Sequence, residues 1–238
     1  MELLPLKDSL ERALSGLLTI AAVVMAAALV HREISRRRTP DAGKPISPEF
    51  VATWRSLLPN GVQVGDSGAK VQIVEFTDLE CPSCRRFHMS TLRTVRESFD
   101  GPIGVVVIHL PLSIHRFARL AAEAAECAHD QGRFGQLVEA ILLRQDSLGV
   151  KSWESFGRQA GVRDPSQFVR CVEERRPNAR IDSGTAVADR LGVTGTPTIL
   201  VNGWRLARPP TATELTSILR DLQADRDPFP KLKRKGGA

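Results

Sequence analysis

Two patterns of apolar residues divide the chain into predicted strands and predicted helices. Val71–Thr77 and residues 104–108 are short apolar runs rich in β-branched side chains, typical of strands buried on both faces of a sheet. Residues 82–98, which lie between these runs, are predicted to form a helix. Residues 198–206 predict a β-hairpin with a two-residue Asn-Gly turn. Strands that alternate with helices in this way indicate a mixed α/β domain.

The chain between about residues 113 and 190 is mostly helical in pattern. Residues 117–129 are rich in alanine with apolar positions at helical spacing, and residues 133–144 repeat that character. Asp164 and Pro165 are typical of a helix start, with the aspartate as the cap and the proline in the first turn. Because the stretch is too long for a single crossover helix, it predicts a helical domain inserted into the α/β fold.

Weaker patterns flank this domain. Residues 31–68 are predicted to be a linker that includes one short helix, over residues 47–58. A capping box formed by Thr211 and Glu214 starts the last predicted helix. Residues 226–238 form a basic tail that contains prolines and is predicted to be disordered.

The N-terminal region contains a candidate membrane anchor. Residues 13–30 carry no charge, reach the lower length limit of a transmembrane helix and lack the polar face of a surface helix. A cleavable signal peptide is the alternative, since the small residues 26–28 could form a cleavage site. The preceding tail, residues 1–12, carries charges of both signs rather than a clear positive region. We therefore expect one uncleaved N-terminal transmembrane helix.

Composition argues against a nucleic-acid partner. The 238 residues carry a formal net charge of +6, but the basic residues are concentrated at residues 36–38, at Arg175 and Arg176, and in the tail from Lys231. Tyrosine is absent and aromatic residues make up 5% of the chain, which gives little material for base stacking. The basic segments before and after the folded part are therefore interpreted as juxtamembrane or solubilising.

The segment Cys81-Pro82-Ser83-Cys84 carries the clearest chemistry. It follows the first predicted strand and opens a predicted helix, where free backbone N–H groups and the helix dipole stabilise a thiolate on the first cysteine. Half of a zinc site is the alternative, but zinc needs further ligands, usually from a second close pair. The other cysteines, Cys127 and Cys171, are isolated singles. The spacing therefore favours a redox pair and no metal or organic cofactor.

Three separated segments give this pair a family resemblance. They are residues 74–84, residues 108–128 and residues 191–203, the last containing Gly-Thr-Pro-Thr before an apolar run. In this order, they resemble the bacterial DsbA-like thiol–disulfide oxidoreductases, in the membrane-anchored or exported branch of the thioredoxin-fold superfamily. The resemblance covers about residues 69–223. It implies an α/β thioredoxin fold over residues 69–225, with the helical insertion at about 113–190.

The resemblance also implies roles for single residues. Cys81 matches the nucleophilic cysteine and Cys84 the resolving one. Pro197 matches the cis-proline that faces the disulfide, and the backbone of Thr196 before it pairs with an extended substrate. Glu75 matches a buried acid that helps to move protons, although from the sequence alone it is equally consistent with an ordinary polar residue at a strand end.

Other positions follow the family less closely. The dipeptide between the cysteines is Pro82-Ser83, whereas the strongest oxidant of the family has a histidine that stabilises the thiolate. The resemblance implies a structural disulfide between Cys127 and Cys171, with buried free thiols as the alternative. His115 is predicted to be a capping or solvent-exposed residue rather than part of the active-site face.

The expected function is dithiol–disulfide exchange. The protein would donate disulfides to reduced or misoxidised exported polypeptides, and a membrane redox partner would reoxidise it. The resemblance implies a catalytic domain on the extracytoplasmic side of the cell membrane, although the arginines at residues 36–38 favour the opposite orientation. A reductase or isomerase kept reduced by a membrane electron donor is one alternative. A binding or chaperone-like domain is another, and export after signal cleavage is the alternative localisation.

Overall fold

The computed structural model describes residues 48–175 and 178–232, together with residues 21, 23–26 and 28. The chain divides into two units, residues 1–45 and residues 46–238. In the first unit the described residues are helical and exposed, and most of the predicted anchor, residues 13–30, lies outside them. Within the part of the chain that the structure describes, no helix has the length and apolar character needed to span a membrane.

The second unit is built on one mixed sheet. Its strands among the described residues are β1 (Glu49–Phe50), β2 (Val62–Gly65), β3 (Val71–Thr77), β4 (Ile103–His109), β5 (Thr198–Val201) and β6 (Trp204–Arg205). They are ordered β1-β6-β5-β3-β4-β2. Only the β3–β4 pair in this sheet is parallel, so the ends of these two strands lie at the same edge.

Helices cover both faces of this sheet. Helix α1 runs through Pro82–Arg86, a π-helical turn at Phe87–Leu92, and Arg93–Ser98. The inserted helices are α2 (Ala118–His129), α3 (Phe134–Leu143), α4 (Trp153–Ala160), α5 (Pro165–Glu174) and α6 (Ala179–Arg190), and α7 (Ala212–Gln223) follows the hairpin. In the described part of the chain, 3₁₀ helices lie at Trp54–Asn60 and Gln145–Ser147. The α/β fold with inserted helices is therefore confirmed.

Alternation along the central strand explains the two-sided core. All seven positions of β3 are buried. Ile73 belongs to the larger apolar cluster, which contains side chains of α1 to α5 and α7, whereas Val74 and Phe76 belong to a smaller cluster with the 3₁₀ helix at Trp54–Asn60 and with α6. Because successive strand residues point to opposite faces, a continuous apolar run suits a strand covered on both sides.

The predicted caps form as the local sequence indicates. The Asp164 side chain accepts a hydrogen bond from the backbone N–H of Gln167 at the start of α5. At the start of α7, the Thr211 side chain and the Glu214 carboxylate each accept from the other residue's backbone N–H, which is a complete capping box.

The sequence predictions are wrong mainly at the edges of the sheet. Instead of a helix over residues 47–58, Glu49–Phe50 pairs with β6, and the helical turn begins only at Trp54. Strand β2 is not predicted at all, although it pairs along its full length with β4. Tertiary pairing decides both segments, because two to four residues carry too little local preference to select a strand.

Part of the basic tail is ordered against the sheet, contrary to the prediction of disorder after residue 226. The Phe229 ring lies 5.1 Å from the Trp204 ring, edge to face. Trp204 is almost fully buried, so this aromatic contact covers apolar surface at the end of the hairpin.

Candidate active site

Cys81 stands at the junction between β3 and α1. Its backbone is extended (φ −73°, ψ 121°), while its carbonyl oxygen already accepts the first helical hydrogen bond, from Arg85 N at 3.1 Å. Pro82 occupies the first helical position, where no N–H is needed. Cys84 lies one turn further into the helix and is fully buried, and both thiols are free. The predicted strand–turn–helix context of the pair is confirmed.

The environment of Cys81 favours its thiolate. The pKa of Cys81 is lowered from 9.0 to about 5, chiefly by a hydrogen bond from the Cys84 thiol. Burial opposes this change, whereas hydrogen bonds from the Thr196 side chain and from the backbone N–H groups of Cys84 and Ser83 add to it. In its thiol form, Cys81 can instead donate to the Thr196 carbonyl oxygen, 3.4 Å from Sγ. The thiolate is the form that attacks or leaves in disulfide exchange.

Cys84 has the opposite tendency. Burial raises the pKa of its thiol strongly, and the hydrogen bond with Cys81 and the negative charges of Glu75 and Cys81 raise it further. Of the main contributions, one lowers the pKa of Cys84, namely the hydrogen bond that Asp78 N donates to its Sγ at 3.4 Å. Cys84 therefore needs a proton whenever the disulfide opens and must lose one before the disulfide can close.

Glu75 lies in the middle of the sheet beneath this pair. It is the fifth residue of β3, pairs in register with Val107 and Ile199, and has no exposed surface. Its Oε2 lies 2.8 Å from Nε2 of His88 on α1, at ion-pair distance but without the alignment of a hydrogen bond. Its Oε1 has no hydrogen-bond partner among the described residues. A buried acid with an open acceptor is suited to exchanging protons, and Glu75 is not at a strand end.

The loop before β5 lies against the first cysteine. The Thr196–Pro197 peptide bond is cis, and the Thr196 carbonyl oxygen faces the Cys81 sulfur. A groove of about 430 Å³ runs beside it, lined by Ser83, residues 192–198 and residues 205–209. The structure therefore brings Cys81 and Ser83 together with Thr196 and Pro197, which lie more than a hundred residues later in the sequence.

The dipeptide between the cysteines, Pro82-Ser83, acts on Cys81 through a backbone N–H group and supplies no positive charge. The Ser83 hydroxyl accepts a hydrogen bond from Nη2 of Arg86 at 3.1 Å, whereas the effect of Ser83 on Cys81 comes through its backbone N–H. A positive charge that acts on Cys81 must therefore come from another part of the fold.

Asp78 and His115 were not recognised as site residues from the sequence. Oδ2 of Asp78 accepts from Leu112 N at 2.8 Å and lies 2.7 Å from Nδ1 of His115, while Oδ1 accepts from Glu80 N. Burial opposes charging of the His115 ring, but the hydrogen bond and charge of Asp78, and the charges of Cys81 and Glu80, raise its pKa. The expectation of a capping or solvent-exposed His115 is therefore wrong.

A sequence signal for this contact exists. Asp78 directly follows β3, and His115 lies in the loop after β4, its parallel neighbour. The carboxyl ends of neighbouring parallel strands meet at one edge of the sheet, which is where ligands and functional groups gather in α/β folds. Polar residues after both predicted strands could have been paired on that basis.

The other two cysteines form a bond within the insertion. Cys127 of α2 and Cys171 of α5 are joined by a disulfide, with 5.9 Å between their Cα atoms. This is the pairing that the family resemblance implies. Among residues 48–175 and 178–232, no group of three or more His, Cys, Asp or Glu side chains is arranged to hold a metal ion.

Known proteins share this architecture. The structure of oxidised BdbD from Bacillus subtilis superposes with a TM-score of 0.62 at 17% identity, over 76% of this chain and 100% of that one. A thioredoxin-like oxidoreductase from Silicibacter pomeroyi superposes with a TM-score of 0.57 at 25% identity, over 70% of this chain and 94% of the other. The structure of Chlamydia trachomatis DsbA also superposes, with a TM-score of 0.55 at 20% identity, over 68% of this chain and 91% of that one, so the fold is shared with these proteins.

A relative found by sequence similarity is named as an antiporter rather than as an oxidoreductase. The chain is 32% identical over 176 residues to Na(+)/H(+) antiporter NhaA 3 of Salinispora tropica, a match that covers 73% of this chain and 26% of the antiporter. The chain thus spans about a quarter of the length of that relative.

The thioredoxin family matches residues 58–221, which include both active-site cysteines and the cis-proline. That span exceeds half of the chain. It includes the start of α1, where the Cys81 thiol has a lowered pKa and the Cys84 thiol is fully buried. The chain belongs to the thioredoxin family.

Proposed function

We propose that the protein donates the Cys81–Cys84 disulfide to reduced polypeptides. The observation that carries this proposal is the lowered pKa of Cys81, to about 5. A stabilised thiolate favours the reduced form of the pair, so the oxidised form gives up its disulfide readily. Cys81 also lies against the carbonyl oxygen of Thr196, a residue that lines the groove where a substrate chain can lie.

The exchange has two steps. A substrate thiolate attacks Sγ of Cys81, the Cys81–Cys84 bond breaks, and Cys84 leaves with the electron pair and takes up a proton. A second substrate thiolate then attacks the substrate sulfur of this mixed disulfide, and Cys81 leaves as a thiolate. Two electrons pass from the substrate dithiol to the protein, and the substrate keeps a new disulfide.

The structural features support different tasks for the two thiols in this proposal. Cys81 is the better leaving group in the second step because its thiolate is stabilised, and rates of exchange rise as the pKa of the leaving thiol falls. Cys84 is buried and remains a thiol after the first step, so it does not compete for the substrate. The cis-proline loop holds the mixed disulfide beside Cys81.

We further propose an extracytoplasmic location for this reaction, on a single-pass anchor at residues 13–30. The Cys127–Cys171 disulfide supports an oxidising compartment, since such bonds persist mainly outside the cytoplasm. Substrates are then reduced or misoxidised exported polypeptides. A membrane redox partner must take two electrons from the dithiol to complete the cycle.

The direction of electron flow is tested by equilibrating the full chain with glutathione and measuring the potential of the pair. We expect a value of about −120 to −180 mV, the range of disulfide donors and isomerases. A value of about −270 mV would identify a thioredoxin-like reductant and overturn the proposal.

Covalent catalysis is tested by trapping. Cys84→Ala leaves Cys81 to attack a polypeptide disulfide without a resolving thiol, so mixed disulfides should accumulate and be visible on a non-reducing gel. The matched control is Cys84→Ala with Cys81→Ala, which should trap nothing. If Cys84→Ala also traps nothing, the protein is a binding domain rather than an exchange enzyme.

A further inference from the structure

A solvent cavity lies beside His88 and shares no lining residue with the groove next to Thr196. It has a volume of about 380 Å³ and lies between α1, β2, β4 and α3, with His88, Val107 and Val138 among its walls. Its charged lining consists of Arg93, Arg96, Glu97 and Glu139, of which Arg93 and Glu139 form an ion pair. None of the walls of this cavity belongs to the cis-proline loop.

His88 stands between this cavity and the buried acid. Its side chain is 13% exposed, and Nε2 lies 2.8 Å from Oε2 of Glu75, whose side chain is 0% exposed. The strand neighbours of Glu75 in register, Val107 and Ile199, are apolar and buried. Among the described groups, His88 is therefore the ionisable contact that joins Glu75 to the cavity.

The local backbone supports a special role for this position. Helix α1 changes to a π-helical turn over Phe87–Leu92, which includes His88. Such turns are rare, and they occur often at functional sites because they shift the direction of the side chains that follow.

The chemistry of the pair requires a proton route at this place. When the disulfide opens, Cys84 leaves as a thiolate inside the protein, where burial strongly disfavours its charge. The Cys84 side chain has no exposed surface, so water cannot supply the proton directly. The charge of Glu75 acts electrostatically on Cys84, so the protonation of the carboxyl and the protonation of the buried thiol are coupled.

We propose that His88 is a proton relay that connects Glu75 to water in the cavity between α1, β2, β4 and α3. As the Cys81–Cys84 bond breaks, the carboxylic acid of Glu75 gives its proton to the leaving Cys84 thiolate. The His88 imidazolium reprotonates Glu75, and a hydronium ion or a buffer acid in the cavity returns a proton to His88 and is left as water or the buffer base. When the disulfide forms, the same proton travels outward. His88 acts through Glu75 and does not touch the reacting sulfurs.

Charged groups around the cavity can affect the transfer of protons to and from His88. Glu75 from β3 contacts His88, and the charged groups that line the same cavity are Arg93, Arg96 and Glu97 from α1 and Glu139 from α3. Because positively and negatively charged side chains line the cavity, it can hold water and admit a small buffer molecule such as imidazole.

The test measures the rate at which glutathione opens the oxidised Cys81–Cys84 bond in the full chain, by single-turnover fluorescence or quench. His88→Ala should slow this step by about 10²-fold, the lower end of general acid–base contributions. Imidazole added to the buffer should restore part of the rate in a saturable way, because the deleted ring leaves space that opens into the cavity.

Two further variants separate a relay from a structural role. His88→Gln fills the same space without carrying a proton, so it should remain slow and should not respond to imidazole. Glu75→Gln should be as slow as His88→Ala, and combining them should cost little more, since residues that act as a unit are not additive. Met89→Ala, which also enlarges the cavity, should be close to wild type and insensitive to imidazole.

The relay is wrong if His88→Gln restores the wild-type rate, or if His88→Ala is slow but not rescued by imidazole. This inference rests on the proposed disulfide exchange. Because glutathione replaces the polypeptide, the result does not depend on the direction of exchange, and a potential in the reductant range would leave the relay intact.

Discussion

Cys81 and Cys84 are three residues apart at the start of α1 and are both free, whereas Cys127 and Cys171 are 44 residues apart and are bonded across α2 and α5. The first pair is close to carboxylates, a histidine and a peptide carbonyl. The second pair is packed within the larger apolar cluster of the insertion. The same side chain is therefore a reagent in one place and a crosslink in the other, according to what surrounds it.

The difference lies in what each environment does to charge. Around Cys81, hydrogen bonds and Asp78-bound His115 favour a negative sulfur, and the buried Cys84 resists one. Cys127 and Cys171 instead pack with alanine and other apolar side chains of the larger cluster. A thiolate is needed to reopen a disulfide, so the apolar pair is expected to persist where the polar pair turns over.

The largest expected effect is on the free energy of unfolding, to which the Cys127–Cys171 pair should contribute more than the Cys81–Cys84 pair. Replacing Cys127 and Cys171 together by alanine should lower the free energy of unfolding by about 3–4 kcal/mol, because the bond no longer restricts a loop of roughly forty residues in the unfolded chain. Chemical denaturation of the oxidised protein measures this, and disulfide transfer to a polypeptide should be retained below the new transition. Loss of transfer in the folded double variant would show that the two pairs are coupled.

The next effect concerns pH. Alkylation of the dithiol form at Cys81 should follow a titration with its midpoint at about pH 5, while Cys84 stays unreactive. Mass spectrometry after short alkylation pulses distinguishes the two sites. A midpoint near the ordinary thiol value of 9.0 would contradict the proposed stabilisation of the thiolate.

The same titration predicts a change in stability. Because the folded pKa of Cys81 lies below its ordinary value, its contribution to the stability of the dithiol form is fully present above pH 9.0 and is lost as the pH falls through about 5. Relative to Cys81→Ser, the reduced protein should therefore gain stability between these two values. Denaturation of both proteins across this range is the measurement.

The smallest expected effect tests whether His115 supplies the charge that Ser83 lacks. His115→Gln keeps a polar group beside Asp78 but removes the cation, so the alkylation midpoint of Cys81 should rise by less than about one pH unit, equivalent to about 1.4 kcal/mol. Ser83→His is the matched gain-of-charge variant and should move the midpoint down. An unchanged midpoint in His115→Gln would limit His115 to holding the loop.

Local sequence was sufficient wherever neighbouring residues decide the structure. The buried runs of β3 and β4, the caps at Asp164 and Thr211, and the Asn-Gly hairpin all depend on contacts within a few residues, and they lie where the patterns indicate. By contrast, β1 and β2 form because partner strands already stand beside them. Their own residues do not select a strand.

By itself, the sequence determined that a C-x-x-C pair would follow a buried strand and open a helix, since hydrophobic period and capping are local properties. The family resemblance added the cis-proline, Glu75 and the second cysteine pair. Only the tertiary structure decided that Glu75 meets His88 and that Asp78 meets His115, 13 and 37 residues apart. Burial and partner charges set proton affinity, and both exist only after distant segments have packed together.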